Sequence, residues 1–196
     1  MERWVASCLA GSLLWASPCV AQGSPSGRST FPLACTYAST SGELDVEEAC
    51  ASVAGKTPVL APRILAKLSY TKGLAYFTVQ GMAYHRRHDG TTRRMYIFDN
   101  GADYFVEGLA RAIVGGKIAY VDRRLRIRIA TPYDWGDRFD HGRAEVCSGC
   151  RSVPVGDGEH SVMEGGRWGV INRSGREVVP VTLTQAEFVA QRDRLR

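Results

Sequence analysis

The stretch Gly166-Arg167-Trp168-Gly169-Val170-Ile171-Asn172-Arg173-Ser174-Gly175-Arg176-Glu177-Val178-Val179-Pro180 decides the fold. A Trp-Gly pair opens an apolar run, a Ser-Gly pair interrupts it, and a second β-branched run follows. β-branched residues favour strands, and glycine supplies the positive φ of a tight reversal, so the stretch predicts a hairpin. One hairpin does not specify an architecture, but weaker copies of this one stand upstream.

Phe139-Asp140-His141-Gly142-Arg143-Ala144 matches Phe105-Val106-Glu107-Gly108-Leu109-Ala110 and, more faintly, Tyr70-Thr71-Lys72-Gly73-Leu74-Ala75. After each comes a strand-like run: Met82-Ala83-Tyr84-His85, Ile118-Ala119-Tyr120-Val121 and Trp168-Gly169-Val170-Ile171. Turns then fall at Asp89-Gly90, Arg123-Arg124 and Ser174-Gly175, and an aromatic-Asp pair recurs as Phe98-Asp99 and Tyr133-Asp134. A period of about 35 residues is what stacked supersecondary units produce, each burying its apolar face against a neighbour.

At these residues the chain resembles the bacterial WG-repeat (KWG-repeat) proteins. Gly116-Lys117-Ile118-Ala119-Tyr120-Val121-Asp122 fits one copy of their unit and Gly166-Arg167-Trp168-Gly169-Val170-Ile171-Asn172 another. The Trp-Gly pair is replaced by Ile118-Ala119 in the middle copy and by Met82-Ala83 in the first, and the last copy carries a long insertion. The resemblance covers residues 70–182. It implies a β-rich repeat without known catalytic residues, often exported, with a binding or scaffolding role.

The fold expected is therefore mainly β: tandem WG-like hairpin or three-stranded repeats, a short N-terminal helical segment and a C-terminal capping helix. Residues 1–21 read as a signal peptide: Arg3 gives a small basic region, Val5 to Trp15 is mostly apolar, and Cys19-Val20-Ala21 suits cleavage after Ala21. Residues 22–34 read as a flexible Ser/Gly-rich segment. Residues 35–69 read as a disulfide-clipped helical and extended segment, with a helix over Asp45–Val53 and Pro58 and Pro62 bounding a connector. The repeats occupy 70–182 and the helix 183–196. Thr184-Gln185-Ala186-Glu187 is a capping box, hydroxyl and carboxylate each meeting an orphan amide, and Phe188 and Leu195 fall on one side of the helix that follows.

The sequence has 196 residues, a formal charge of +5 and 21 glycines, the last in keeping with a turn-rich β protein. The apolar core of the leader is too short to span a bilayer, which takes about 20 residues, so no transmembrane segment is expected in the mature chain. Export places the protein in the periplasm or outside the cell. Cys35, Cys50, Cys147 and Cys150 remain after cleavage, and an even number in an oxidising compartment points to two disulfides. Three pairings are possible, of which Cys35–Cys50 and Cys147–Cys150 close the shorter loops.

Cys147-Ser148-Gly149-Cys150 also has a redox reading. Such motifs lower a thiol pKa at a helix N-terminus, whereas this one runs into Arg151-Ser152-Val153-Pro154, which is no helix. A metal reading would add His85 and His88, or His160, but their spacing is poor for zinc. A hydrolase would need Asp99 and Asp134 to converge, and acids beside turns more often bond their own backbone. The sequence contains no phosphate loop, nucleophile elbow or dinucleotide fingerprint. No catalytic residue, metal or cofactor is assigned.

In Arg124-Leu125-Arg126-Ile127-Arg128-Ile129, bases and aliphatics alternate, so a strand would present three arginines on one face and send Leu125, Ile127 and Ile129 inward. Arg86, Arg87, Arg93 and Arg94 occupy the corresponding place one repeat earlier. Arg124, Arg126, Arg128, Tyr133 and Trp135 form the candidate binding surface, for a protein or an anionic polymer of the cell envelope. Nucleic acid is not implied for an exported chain without a recognition helix. The function expected is non-catalytic binding or scaffolding in the envelope, and the alternative is a thiol-disulfide protein using Cys147 and Cys150.

Overall fold

The computed structural model describes residues 30–156, 158 and 160–195. The leader expected over residues 1–21 and the linker residues 22–29 lie outside them. The described chain is mainly β, built from antiparallel hairpins, and ends in one short helix.

Three antiparallel strands come first: β1 (Leu33–Ala38), β2 (Leu44–Ala54) and β3 (Thr57–Leu60). The helix expected over Asp45–Val53 is instead the strand β2. Its residues alternate between exposed and half-buried from Leu44 to Ala49, and β1 and β3 pair with it from either side. A bulge at Ala49, whose φ is 51°, then turns Cys50 and Ala51 into the core. The helical segment of this region is a single turn, α1 (Pro62–Leu65), which starts on a proline and seats Ile64 in the core.

The first repeat is the meander β4 (Leu74–Val79), β5 (Met82–Arg87) and β6 (Thr92–Arg94). Because β1 pairs with β4, the segment before residue 70 shares one sheet with this repeat, in the order β3-β2-β1-β4-β5-β6. The strand pairing begins at Leu33, inside the stretch expected to be flexible. The two edge strands, β3 and β6, approach one another, so the sheet curls around Tyr37, Phe77, Val79 and Tyr84.

A small hairpin, β7 (Ile97–Phe98) and β8 (Gly101–Ala102), leads to the second repeat, β9 (Ala110–Val114), β10 (Lys117–Val121) and β11 (Ile127–Ala130). The short strand β12 (Trp135–Gly136) then joins the third repeat. That repeat consists of β13 (Arg143–Ser148), an inserted hairpin β14 (Arg151–Val155) and β15 (His160–Glu164), then β16 (Arg167–Asn172) and β17 (Glu177–Thr184). The helix α2 (Gln185–Leu195) follows.

The first two repeats are built on the same three turns, and the third keeps the first and the last of them. Lys72-Gly73, Glu107-Gly108 and His141-Gly142 all have positive φ, from 48° to 81°. Each pair is closed by reciprocal backbone bonds, Thr71 with Leu74, Val106 with Leu109 and Asp140 with Arg143. Two successive positive φ angles define the type I′ reversal, whose twist matches that of the flanking strands. The second turn is Gln80-Gly81 or Gly115-Gly116, and in the third repeat this place is taken by the inserted hairpin. At the third turn Arg87, Asp122 and Asn172 donate N–H to the carbonyls of Thr91, Arg126 and Arg176 at 2.9–3.1 Å. Gly90, Leu125 and Gly175 carry the left-handed residue there, with φ of 91°, 59° and 81°. Leu125 tolerates this conformation in a fully buried setting, packed with Met95, Ala112 and Val121 between the first two repeats.

These turns fix the alignment of the copies. Val79–Met82, Val114–Lys117 and Ser148–Arg167 are equivalent pairs. The residues matching Trp168-Gly169 are therefore Ile118-Ala119 and Ala83-Tyr84, one residue later in the first copy than the expected Met82-Ala83. Gly169 has a specific cause. Trp168 pairs with Leu183 and Val170 with Val179, so β17 bulges opposite Gly169. A Cβ there would lie 2.5 Å from the Val179 carbonyl oxygen and 2.8 Å from that of Pro180. In the second repeat Ala119 pairs squarely with Ala130, and a methyl group fits.

The alternation expected over residues 124–129 is broken. Leu125 and Ile129 are buried, but Ile127 is 39% exposed. A bulge separates the two isoleucines: Val121 faces Ile127, and the next residue back, Tyr120, faces Ile129. The capping box forms as expected, with the Thr184 N–H donating to Glu187 at 2.8 Å and the Glu187 N–H donating to the Thr184 hydroxyl at 3.3 Å. Phe188 is buried against Trp168, their ring centroids 5.7 Å apart. The side chain of Leu195 is outside the described set.

Candidate functional site

A concavity between the second and third repeats encloses about 530 Å³. Tyr96 and the β7–β8 hairpin, with Phe98 and Asp99, form one side. Trp135 and Trp168 form the wall, and Ser161 and Met163 of the inserted hairpin face Val189 and Arg192 of α2.

Arg111 of β9 sits in the floor, its side chain only 3% exposed. Its Nε and Nη2 donate to the two carboxylate oxygens of Asp103 at 2.9 Å each, and its backbone N–H reaches the same carboxylate at 3.0 Å. Nη1 donates to the Gly136 carbonyl at 3.2 Å and lies 3.7 Å from Asp137. Burial works against the charge of Arg111, but the hydrogen bonds and attraction of Asp103 more than offset it and raise its pKa. The guanidinium also lies 4.3 Å from the Tyr96 ring centroid, a cation–π contact that strengthens where water is excluded. A planar, five-donor cation with paired partners is what a buried charge requires.

The aromatic wall is fixed from behind. Trp135 Nε1 donates to the Tyr96 hydroxyl at 3.1 Å, and Trp168 Nε1 donates to the Gly165 carbonyl at 2.7 Å. The two indoles lie 5.6 Å apart at 56°. Gln185 ties the inserted hairpin to α2, donating to the Met163 carbonyl at 2.8 Å and accepting from the Gly165 N–H at 2.9 Å. Arg192 meets the buried Glu145 at 3.3 Å.

Of the residues singled out from sequence, Trp135 lines this cleft. Tyr133 is buried beside it, 7% exposed, and its hydroxyl donates to Glu177 at 2.7 Å. That bond and the burial push its pKa up to about 12, burial being the larger cause. Arg126 and Arg128 converge on Asp122, at 2.7 and 3.9 Å, so one carboxylate serves both, and Arg124 is exposed on the adjoining turn. Asp99 lines the cleft but Asp134 does not; Asp134 instead accepts from Lys117 at 2.6 Å and from the Gly149 N–H at 2.7 Å. Those bonds hold the Asp134 carboxyl below the usual range, Lys117 contributing most.

The cysteines pair as Cys35–Cys50 and Cys147–Cys150, with Cα separations of 5.8 and 6.1 Å. Cys147 is fully buried and Cys150 is 9% exposed. His85 stacks near Phe105, His88 stacks on Tyr70, and His160 lies at the aromatic cleft. Among the described residues no group of three or more His, Cys, Asp or Glu is placed to hold a metal, and no helix is long and apolar enough to cross a membrane.

Sequence reasoning missed Arg111, Asp103 and Tyr96. A signal existed for the first: Leu109-Ala110-Arg111-Ala112-Ile113 is an apolar strand interrupted by one cation, and a buried strand tolerates a cation only with a partner. Nothing local identifies Asp103 as that partner.

Residues 168–190 match the family model described as WG containing repeat. The match opens on the Trp-Gly pair, takes in β17 and ends within α2, so the similarity falls on the third meander. This repeat is not a known enzyme family. No curated protein and no solved structure matches the chain.

Proposed function

We propose that this chain is an exported, non-catalytic β-repeat protein that binds a partner protein at the cell envelope through the cleft between its second and third repeats. The observation that carries the reading is the pair of fixed indoles and Tyr96 above a buried arginine. Trp, Tyr and Arg dominate binding energy at protein interfaces because they bury much area at little entropic cost. A concave, half-apolar site of several hundred Å³ is also the usual receptacle for an inserted group. The partner inserts an apolar or aromatic side chain against Trp135 and Phe98, and its backbone meets the polar rim at Asp99 and Ser161.

Binding is favoured over catalysis because the charged groups of the floor are engaged with one another. Asp103 and Asp137 attend Arg111, and Glu145 attends Arg192. Export is supported by the leader-like residues 1–21 and by two cysteine pairs at bonding distance. The thiol-disulfide alternative is disfavoured by the burial of Cys147, since exchange requires an accessible thiolate.

The test is photo-crosslinking in the native host, with the reactive side chain placed at Phe98 or, as a control, at the 70% exposed Val46 of β2. One discrete adduct from position 98, absent from position 46 and lost when Trp135→Ala accompanies it, supports the reading. Equal labelling from both positions overturns it. N-terminal sequencing of the protein from the envelope fraction tests export: a chain starting at Gln22 is expected, and an intact Met1 argues against it.

A further inference from the structure

The concavity at the other seam differs in chemistry. Where the β3 and β6 edges approach, Lys56, Arg93 and Arg94 line a groove of about 380 Å³ together with Thr92 and the Gly115-Gly116 turn of the second repeat. No carboxylate lines it, and none of the three cations has a carboxylate partner among the described residues. Adjacent strand residues project to opposite faces, so Arg93 and Arg94 straddle the outer edge of β6. Arg93 is held in place by Nη2 donating to the Leu125 carbonyl at 3.4 Å. Gly115 and Gly116 leave the opposite wall open, a Cβ at either meeting nothing within 4 Å.

We propose that this groove binds a phosphate group carried by an anionic lipid or a soluble phosphorylated molecule, with Lys56, Arg93 and Arg94 as its ligands. Three uncompensated cations match a multiply charged anion better than a single carboxylate. Guanidinium forks suit tetrahedral oxygens, and a lysine adds a point charge. The site is separate from the aromatic cleft, on different elements and at a different seam, and stands or falls independently of it.

Calorimetric titration of the purified chain with inorganic pyrophosphate at low ionic strength provides the test. One saturable site is expected, weakening with added salt as phosphate contacts do. Lys56→Gln and Arg94→Gln, both at exposed positions, each lower affinity about tenfold, the scale of one charge-assisted hydrogen bond. Arg176→Gln, an equal change of charge on the exposed turn of the third repeat, leaves affinity within about twofold, as expected of a distant, screened charge. Sedimentation with phosphatidylglycerol vesicles distinguishes the sources: capture lost in Lys56→Gln and Arg94→Gln identifies a lipid headgroup, and pyrophosphate binding without vesicle capture identifies a soluble phosphate. Absence of pyrophosphate binding, or equal weakening by Arg176→Gln, overturns the proposal.

Discussion

Two seams join the three repeats, and identical backbone turns produce opposite chemistry in them. Between the first and second repeats the groove is cationic and open, with Lys56, Arg93 and Arg94 uncompensated. Between the second and third, the charges are sunk beneath aromatic rings and neutralised. The third residue after the glycine of each leading turn shows how far the copies diverge. Tyr76, Arg111 and Glu145 stand there in turn, after Gly73, Gly108 and Gly142. Tyr76 lies near His85, Arg111 is gripped by Asp103, and Glu145 meets Arg192 of the terminal helix. The frame is carried by φ angles and hydrogen bonds, so side chains at the seams are free to diverge.

The most disruptive way to break this contrast is Arg111→Met. It strands the fully buried Asp103 carboxylate, and loss of one partner from such a pair destabilises by about 3–5 kcal/mol. Urea unfolding should show that loss, with most of it recovered in Arg111→Met combined with Asp103→Leu. Next come the disulfides, one in the sheet of the first repeat and one at the base of the third repeat's insertion. Their sequence separations are 15 and 3, so chain entropy predicts losses of about 3 kcal/mol for Cys35→Ala with Cys50→Ala and about 2 for Cys147→Ala with Cys150→Ala. Unfolding midpoints of the two double variants measure the difference.

A finer comparison sets Gly169 against Ala119. Gly169→Ala drives a methyl group into the β17 bulge and should destabilise by about 1–3 kcal/mol, while Ala119→Gly, with no such contact to relieve, costs less than about 1 kcal/mol. The smallest effect concerns His85. Burial lowers its pKa, helped by Arg123 and opposed by the hydrogen bond with the Ala75 carbonyl. The unfolded chain therefore takes up a proton at a higher pH than the folded one. Stability should be full above the ordinary histidine value, decline as pH falls through about 6.5, and level off below the depressed folded value. A His85→Phe variant should show a flatter profile in the same range.

The turns were legible in sequence because glycine at a left-handed position leaves a local mark. Gly90 and Gly175 announce the third turns, Gly73, Gly108 and Gly142 mark the repeat, and Thr184 with Glu187 announces α2. The cysteine pairing was also within reach, since proximity in the chain favoured it. What escaped notice depends on distant partners. Asp45–Val53 carries acids and alanines that suit a helix, but β1 and β3 claim its backbone from both sides. Ile127 follows the core pattern and is turned out by a bulge that involves β10. The first copy was misaligned by one residue because Met82-Ala83 and Ala83-Tyr84 are equally plausible until the turn pair Val79–Met82 is known. Of the cleft, Trp135 was singled out in sequence but grouped with Tyr133 and the arginines of 124–128, which do not line it, and Arg111 gains its meaning from Asp103 and Tyr96, which only the packed repeats bring together.

The third repeat holds one more lesson, for anyone who would redesign the chain. Its ladder closes on Ser148–Arg167 with residues 149–166 between them, where its sisters close on Val79–Met82 and Val114–Lys117 with two. Lengthening a loop adds only slowly to the entropy of closing it, and the strands on either side keep their register. The Gly115-Gly116 reversal is thus an unused socket: a foreign segment whose ends meet as the inserted hairpin's do can be spliced there, beside the cationic groove, without rewriting the scaffold that holds it.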